Sequence, residues 1–247
     1  MSNILLELKH IEAGYHGKPV LKNASLSVSE GDFIGVIGPN GGGKTTLLRV
    51  ILGLLKPYKG SVTYRIQKRE IGYLPQINQF DEQFPITVHE VVHSGLASGI
   101  GSGIFRHKNC DDKIEKILDR VGITALRDRS VGDLSGGELQ RTMLARAIIS
   151  SPRILILDEP NTYVDNKFET ELYTLLQELN KTLSILLVSH DIGTISPYIK
   201  SIACVNGELH YHPSNEISEA QLKVYNCPIE IISHGTVPHR VMKHHTH

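Results

Sequence analysis

A chain of 247 residues is long enough for one large domain or two small ones with a substantial core. Its 26 Lys and Arg balance its 26 Asp and Glu, so no overall field draws it to nucleic acid or anionic lipid, and 40% hydrophobic with 21% charged residues is an ordinary globular composition. Three scattered cysteines, Cys110, Cys204 and Cys227, supply neither a disulfide framework nor a Cys-x-x-Cys metal pair, which points to a reducing compartment.

The opening "MSNILLELKHIEAGY" lacks the basic lead and apolar run of a signal peptide, and no apolar stretch approaches bilayer-spanning length. Membrane work would need other chains to do the spanning. "ILLELKHIEAGY" and "NASLSVSEGDFIGVIG" read as strands around the turn "HGKP". The alternation in "SLSVS" predicts a half-exposed antiparallel strand, and the continuous "FIGVIG" a strand buried on both faces. From Lys44 the period becomes helical, with Leu47, Leu48, Ile51, Leu52 and Leu55 on one face, closed by Gly53 and "KPYKG". "SVTYRI" and "EIGYLPQ" then read as short strands.

Between residues 78 and 150 the pattern turns helical. "ITVHEVVHSGL" and "KIEKILDRVGI" are amphipathic and joined by the Gly/Ser-rich "ASGIGSGIF", and a further helix carries Leu139, Thr142, Met143, Arg146 and Ala147 at helical spacing. Alternation resumes with the strand "RILILDEP", the helix "KFETELYTLLQELNK", the strand "SILLVSH" and the hairpin "IACVNGELHY". Continuous apolar strands alternating with helices predict an α/β fold with a mainly parallel sheet. The tail from Pro213 has weak periodicity and many histidines.

"GPNGGGKT" matches G-x-x-x-x-G-K-[ST] between a predicted strand and helix, the context a phosphate-binding loop requires. Gly38, Pro39, Asn40, Gly41, Gly42 and Gly43 form the loop, whose glycines let backbone N–H groups approach phosphate at a helix N-terminus; Lys44 adds a point charge for the β- and γ-phosphates, Thr45 a hydroxyl for Mg²⁺, and Thr46 continues the motif. "ILILDEP" ends a buried strand in two carboxylates. Asp158 is expected in the magnesium shell and Glu159 as base or orienter of the attacking water. His190, at the end of "SILLVSH", is either a structural histidine or a γ-phosphate contact. Gln76, after "IGYLP", is either a surface glutamine or a magnesium sensor at the junction with the helical region. Tyr15 would stack on the base.

"LSGGELQR" raises a different question, because Ser135 and Glu138 form an S-x-x-E capping box while Gly136 and Gly137 weaken the helix they start. Bare backbone facing a ligand accounts for the glycines, and both readings hold together.

The ordered set "GPNGGGKTT", "LPQ", "LSGGELQR", "ILILDEP" and "VSH", spanning residues 38–190, resembles the ATP-binding cassette (ABC) ATPase family. The resemblance implies an ABC-type nucleotide-binding domain over residues 1–212, with an α/β core (1–77 and 151–212), an antiparallel β edge, a helical insertion (78–150) and a His-containing extension (213–247). It implies two chains packed head to tail, Ser135, Gly136, Gly137 and Glu138 of one closing over ATP held by the phosphate loop of the other. Asp165 falls at the loop that communicates across that dimer, although the intervening "NTYV" departs from the family's usual small residues. The stretch from Gly60 to Gln76 is short for the family, which implies a trimmed antiparallel edge.

A single cassette without a spanning segment resembles the ATPase subunit of an importer, bound at the cytoplasmic face of the membrane to separate permease subunits and served by an extracytoplasmic substrate-binding protein. "FPITVHEVVHSG" lies where the family's helical subdomain meets its membrane partner. The tail "CPIEIISHGTVPHRVMKHHTH" is similar to the ends of cassettes in zinc and manganese importers, with zinc favoured; His234, His239, His244, His245 and His247 either bind metal or are solvated. Siderophore or cobalamin uptake and efflux share the motifs. A cassette acting on DNA or ribosomes does not fit, since neither a long coiled coil nor a second cassette is present, so no nucleic acid is expected.

Overall fold

The computed structural model describes residues 3–76, 85–96, 107–160, 166–216, 231–233 and 238–240. Two long strands, β1 (Ile4–Tyr15) and β2 (Lys18–Ser29), turn tightly at His16 and Gly17, both at positive φ (51° and 76°), the geometry that matches strand twist in a two-residue hairpin. Along β2 the expected alternation holds: Ala24, Leu26 and Val28 are buried while Ser25 and Ser27 are exposed. A short, mostly exposed β4 (Lys59–Tyr64) pairs with β1, completing a three-stranded antiparallel sheet of order β2-β1-β4.

The second sheet has six strands. Its centre is made of β3 (Phe33–Ile37), β6 (Ile154–Asp158) and β7 (Ser184–Val188), buried at every position, as their continuous apolar runs predict. With β5 (Ile71–Leu74), β8 (Ser201–Asn206) and β9 (Glu208–His212) the order is β5-β6-β7-β3-β8-β9, parallel throughout except for the β8–β9 hairpin at the edge. Successive side chains point to opposite faces. Ile34, Val36, Ile156 and Leu186 pack with β1, β2 and α1 (Lys44–Ile51) on one face; Phe33, Ile37, Leu155, Leu157 and Leu187 pack against helices on the other.

Those helices are α2 (Val88–Ser94), α3 (His107–Arg120), α4 (Gly136–Ile148), α5 (Asn166–Asn180) and the short α6 (Ile192–Ile195). α2 is shorter than its hydrophobic pattern suggests because Thr87 caps it, accepting from Glu90 N–H while Glu90 reaches back to the Thr87 amide at 2.8 Å. α3 begins earlier than expected, in the polar "HKNCDD" ahead of the apolar repeat. In the tail, Ile231–Ser233 and Pro238–Arg240 pair as β10 and β11, a hairpin the weak periodicity did not predict. Among the described residues no helix is long and apolar enough to cross a membrane.

Candidate functional site

Parallel strands end on one side of a sheet, and a ligand crevice forms beyond those ends. Here Val36 is in register with Val188, and Val188 with Asp158, while Leu157 pairs with Leu74. The loops leaving β3, β5, β6 and β7 therefore start side by side. They carry the glycine loop, Gln76, Glu159 and His190, residues far apart in the chain.

The loop between β3 and α1 lies close against the end of β8. A Cβ on Gly38 would stand 2.0 Å from the Val205 carbonyl oxygen and one on Gly42 2.7 Å from the same atom. Gly42 N–H donates to the Pro39 carbonyl (3.1 Å), and the Gly42 carbonyl accepts from Gly207 N–H (2.9 Å). Gly207, at the β8–β9 turn, also accepts from Lys22 N–H on β2 (2.6 Å), so the turn ties the loop to both sheets. Gly41 and Gly43 have φ of +77° and +106°. Lys44 is 6% exposed, and its ammonium donates to the carbonyls of Gly38 (2.9 Å) and Pro39 (3.1 Å) across the loop. An anion in the loop would compete with these two carbonyls for the same charge. Thr45 is exposed beside Lys44 and Thr46 is buried; Asn40, next to Pro39, is exposed.

Asp158 closes β6 and is 5% exposed. Burial, followed by the neighbouring Glu159, pushes its carboxyl above the ordinary aspartate range; the charges of Lys44 and Arg49 and a hydrogen bond from Tyr73 act in the opposite direction. Glu159 lies just past the strand at φ +47°, with its N–H on the Val188 carbonyl (3.1 Å). That left-handed residue breaks the alternation of the strand and explains how adjacent acids both reach the crevice. Gln76 Nε2 donates to Glu159 Oε2 (3.1 Å), and His190 Nδ1 lies 3.7 Å from the same oxygen. The His190 turn is held by Ser189, whose N–H meets the Val36 carbonyl (3.1 Å), and by Asp191, which caps α6.

Tyr15 ends β1 at 36% exposure, with its hydroxyl accepting from Arg49 on α1 (3.0 Å). Ser135 caps α4: its amide and hydroxyl both donate to Glu138 Oε2 (2.8 Å each), and its oxygen accepts from Glu138 N–H. The hydrogen bond from the Ser135 amide, above all, holds the Glu138 carboxyl below its ordinary range. Gly136 and Gly137 occupy the first turn, whose N–H groups have no partner within a helix. This second cradle stands on α4, with the exposed Ser135 and with Arg129 3.8 Å from Glu138, and makes its contacts locally. Asp165 lies outside the described residues, as do His234, His244, His245 and His247; of His239 only the backbone is described.

Residues 21–162 match the ABC transporter family. The chain is 40% identical over 236 residues, 94% of each chain, to a metal transport system ATP-binding protein of Thermotoga maritima. The chain belongs to the ABC transporter family. Further relatives are the zinc uptake system ATP-binding protein of Listeria innocua (39% identical, 86% of each chain) and the high-affinity zinc uptake system ATP-binding protein of Bacillus subtilis (38% identical, 80% of this chain and 89% of that one). The fold of this ABC protein is shared with a chain of an inward-facing ABC transporter (TM-score 0.85, 22% identical, 98% of each chain) and with a nucleotide-free ATP-binding cassette (TM-score 0.76, 25% identical, 90% of this chain and 95% of that one).

Sequence reasoning missed several parts of this cassette's crevice: Tyr73 and Arg49 near Asp158, Arg49 on Tyr15, and Gly207 under the loop. Tyr73 was legible within "IGYLPQ" as a strand residue. Its nearness to Asp158 follows only from the pairing of β5 with β6.

Proposed function

We propose that this chain is the ATP-binding and ATP-hydrolysing subunit of a multi-subunit membrane importer for zinc, with manganese as the next candidate ion. The observation that carries the reading is the name shared by relatives about 40% identical over most of their length, metal transport and zinc uptake ATP-binding proteins. The convergence of Lys44, Gln76, Asp158, Glu159 and His190 beyond the strand ends on one side of the sheet supports the chemistry.

Residues 38–46 would cradle the triphosphate, with Lys44 leaving the Gly38 and Pro39 carbonyls for the β- and γ-phosphate oxygens, and Tyr15 would stack on the base. Thr45, Gln76 and Asp158 offer the hard oxygen ligands that suit magnesium, and a buried carboxyl with a second acid beside it fits a site for a divalent cation. Magnesium bound with ATP neutralises charge developing on the phosphate oxygens. Glu159 would orient water and take its proton as the water oxygen bonds to the γ-phosphorus and the bond to the β–γ bridging oxygen breaks, leaving ADP and phosphate. His190, beside Glu159, would contact the γ-phosphate.

In this reading residues 1–212 form the cassette, with residues 1–77 and 151–212 as its core and 78–150 as its insertion, and 213–247 form an extension. A second copy would present Ser135, Gly136, Gly137 and Glu138 to the phosphates, with Asp165 at the communicating loop. Closure of the pair would move permease subunits at the cytoplasmic face of the membrane, fed by an extracytoplasmic substrate-binding protein; nucleic acid has no part in it.

The test is cellular zinc and manganese content with wild-type chain against Glu159→Gln, grown with each metal scarce in turn. Selective zinc loss is expected. Selective manganese loss would move the mechanism to that ion, and unchanged metals beside a purified variant lacking ATPase activity would overturn the metal-importer reading.

A further inference from the structure

Arg49 is left unused by the chemistry above. It stands on the exposed side of α1, in the last turn of the helix that Lys44 begins. Its Nη1 donates to the Tyr15 hydroxyl at 3.0 Å, and its guanidinium carbon lies 5.7 Å from the centre of the Tyr15 ring. Its charge is also felt at Asp158 and Tyr73. One cation thus meets the aromatic ring at the end of β1 and favours the charged form of the acid at the end of β6.

The physical consequence concerns the ring. A partly exposed tyrosine at a strand end samples several side-chain rotamers, and a ring that must meet a flat ligand loses that freedom on binding. A hydrogen bond to the hydroxyl fixes the ring's far end, and a cation within attractive reach of the π system restrains its tilt. As a contribution to the fold, such an exposed pair is worth little. Its value lies in holding the ring before a ligand arrives.

We propose that Arg49 is a positioning residue that holds the Tyr15 ring for the nucleotide base, so that α1 serves both ends of ATP, through Lys44 at the phosphates and Arg49 at the base. The inference rests on the reading of Tyr15 as the residue that stacks on the base.

The test titrates the full chain with ATP and, separately, with tripolyphosphate, with magnesium chelated so that neither turnover nor metal contacts contribute. The readout is the ratio of the two affinities, which a loosened fold or a lost charge near the phosphates would move little because it affects both ligands alike. Arg49→Gln and Tyr15→Phe are each expected to lower the ATP-to-tripolyphosphate affinity ratio about three- to tenfold, the effect of losing one ordinary hydrogen bond. The double variant should fall no further than the weaker single one, because both remove the same contact. Arg49→Lys, which keeps the charge without the planar fork, should fall between wild type and Arg49→Gln. An unchanged ratio in Arg49→Gln, or losses that multiply in the double variant, would overturn the proposal. Tyr15→Ala separates it from the reading beneath it. If Tyr15→Ala lowers the ratio while Arg49→Gln does not, the stacking role stands and the positioning role falls; if Tyr15→Ala leaves the ratio at the wild-type value, both fall.

Discussion

Gln76 Nε2 donates to Glu159 Oε2 across 3.1 Å, linking the segment that follows β5 to the residue that follows β6. The amide thereby holds the carboxylate on which the proposed hydrolysis depends. Glu159→Gln keeps an acceptor for Gln76 and removes the base. Turnover should fall about 10²- to 10⁴-fold while ATP affinity is retained. Phosphate release measured beside ATP titration checks this, and turnover near the wild-type rate would remove Glu159 from the role.

The phosphate loop offers a contrast between two glycines. Gly38 has φ +150° and no room for a Cβ, which would meet the Val205 carbonyl at 2.0 Å; Gly41 has φ +77° with nothing within 4 Å. Gly41→Ala should cost only the left-handed strain, about 1–2 kcal/mol. Gly38→Ala adds a clash with backbone and should cost about 3 kcal/mol or more. Urea unfolding of the two variants compares them directly, and equal losses would mean that β8 yields to the loop.

Ser135 carries two expectations that separate by experiment. Ser135→Ala removes the cap of α4 and should destabilise the chain by about 1 kcal/mol, seen in thermal unfolding. Ser135→Arg should suppress hydrolysis while each single chain still binds ATP, because in the proposed shared site the cradle on α4 serves another copy. Wild-type ATPase activity per chain should accordingly rise with protein concentration. A specific activity independent of concentration down to fully monomeric solutions would rule out the shared site.

Asp32, between β2 and β3, provides a pH handle away from the nucleotide. Burial raises its carboxyl above the ordinary 3.8, while the Ser29 amide and the charge of Lys200 pull in the other direction. A raised value in the folded chain means that the native state holds a proton the unfolded chain has released. Its contribution to stability therefore falls as pH rises from the ordinary value through the native one, and stays lower above it. Asp32→Asn keeps an acceptor for the Ser29 N–H, which now lies 2.7 Å from Asp32 Oδ2, and removes the charge. The unfolding midpoint of Asp32→Asn relative to wild type should increase across that window and then level off. A difference that shrinks with rising pH would contradict the burial argument.

The readable parts of the site were those whose chemistry lies in consecutive residues. The loop from Gly38 to Thr46, the pair Asp158–Glu159 and the box Ser135–Glu138 each carry their meaning in local spacing, because backbone geometry over a few residues is set by those residues. Gln76, His190 and Tyr15 were weaker signals, single side chains at strand ends, each with an ordinary structural alternative. The structure brings Gln76 and His190 to one carboxylate.

From the sequence alone came the alternation of buried strands with helices, and hence a parallel sheet with a phosphate loop at one strand end. The order of the strands did not, since β3 lies between β7 and β8, against the order of the chain. Strands buried on both faces are all short apolar runs, so no local feature says which will be neighbours. That choice belongs to the packing of the whole sheet. It alone decided that Gln76 meets Glu159, that Gly207 underpins the loop, and that Glu159 takes the left-handed turn that brings a second acid into the crevice.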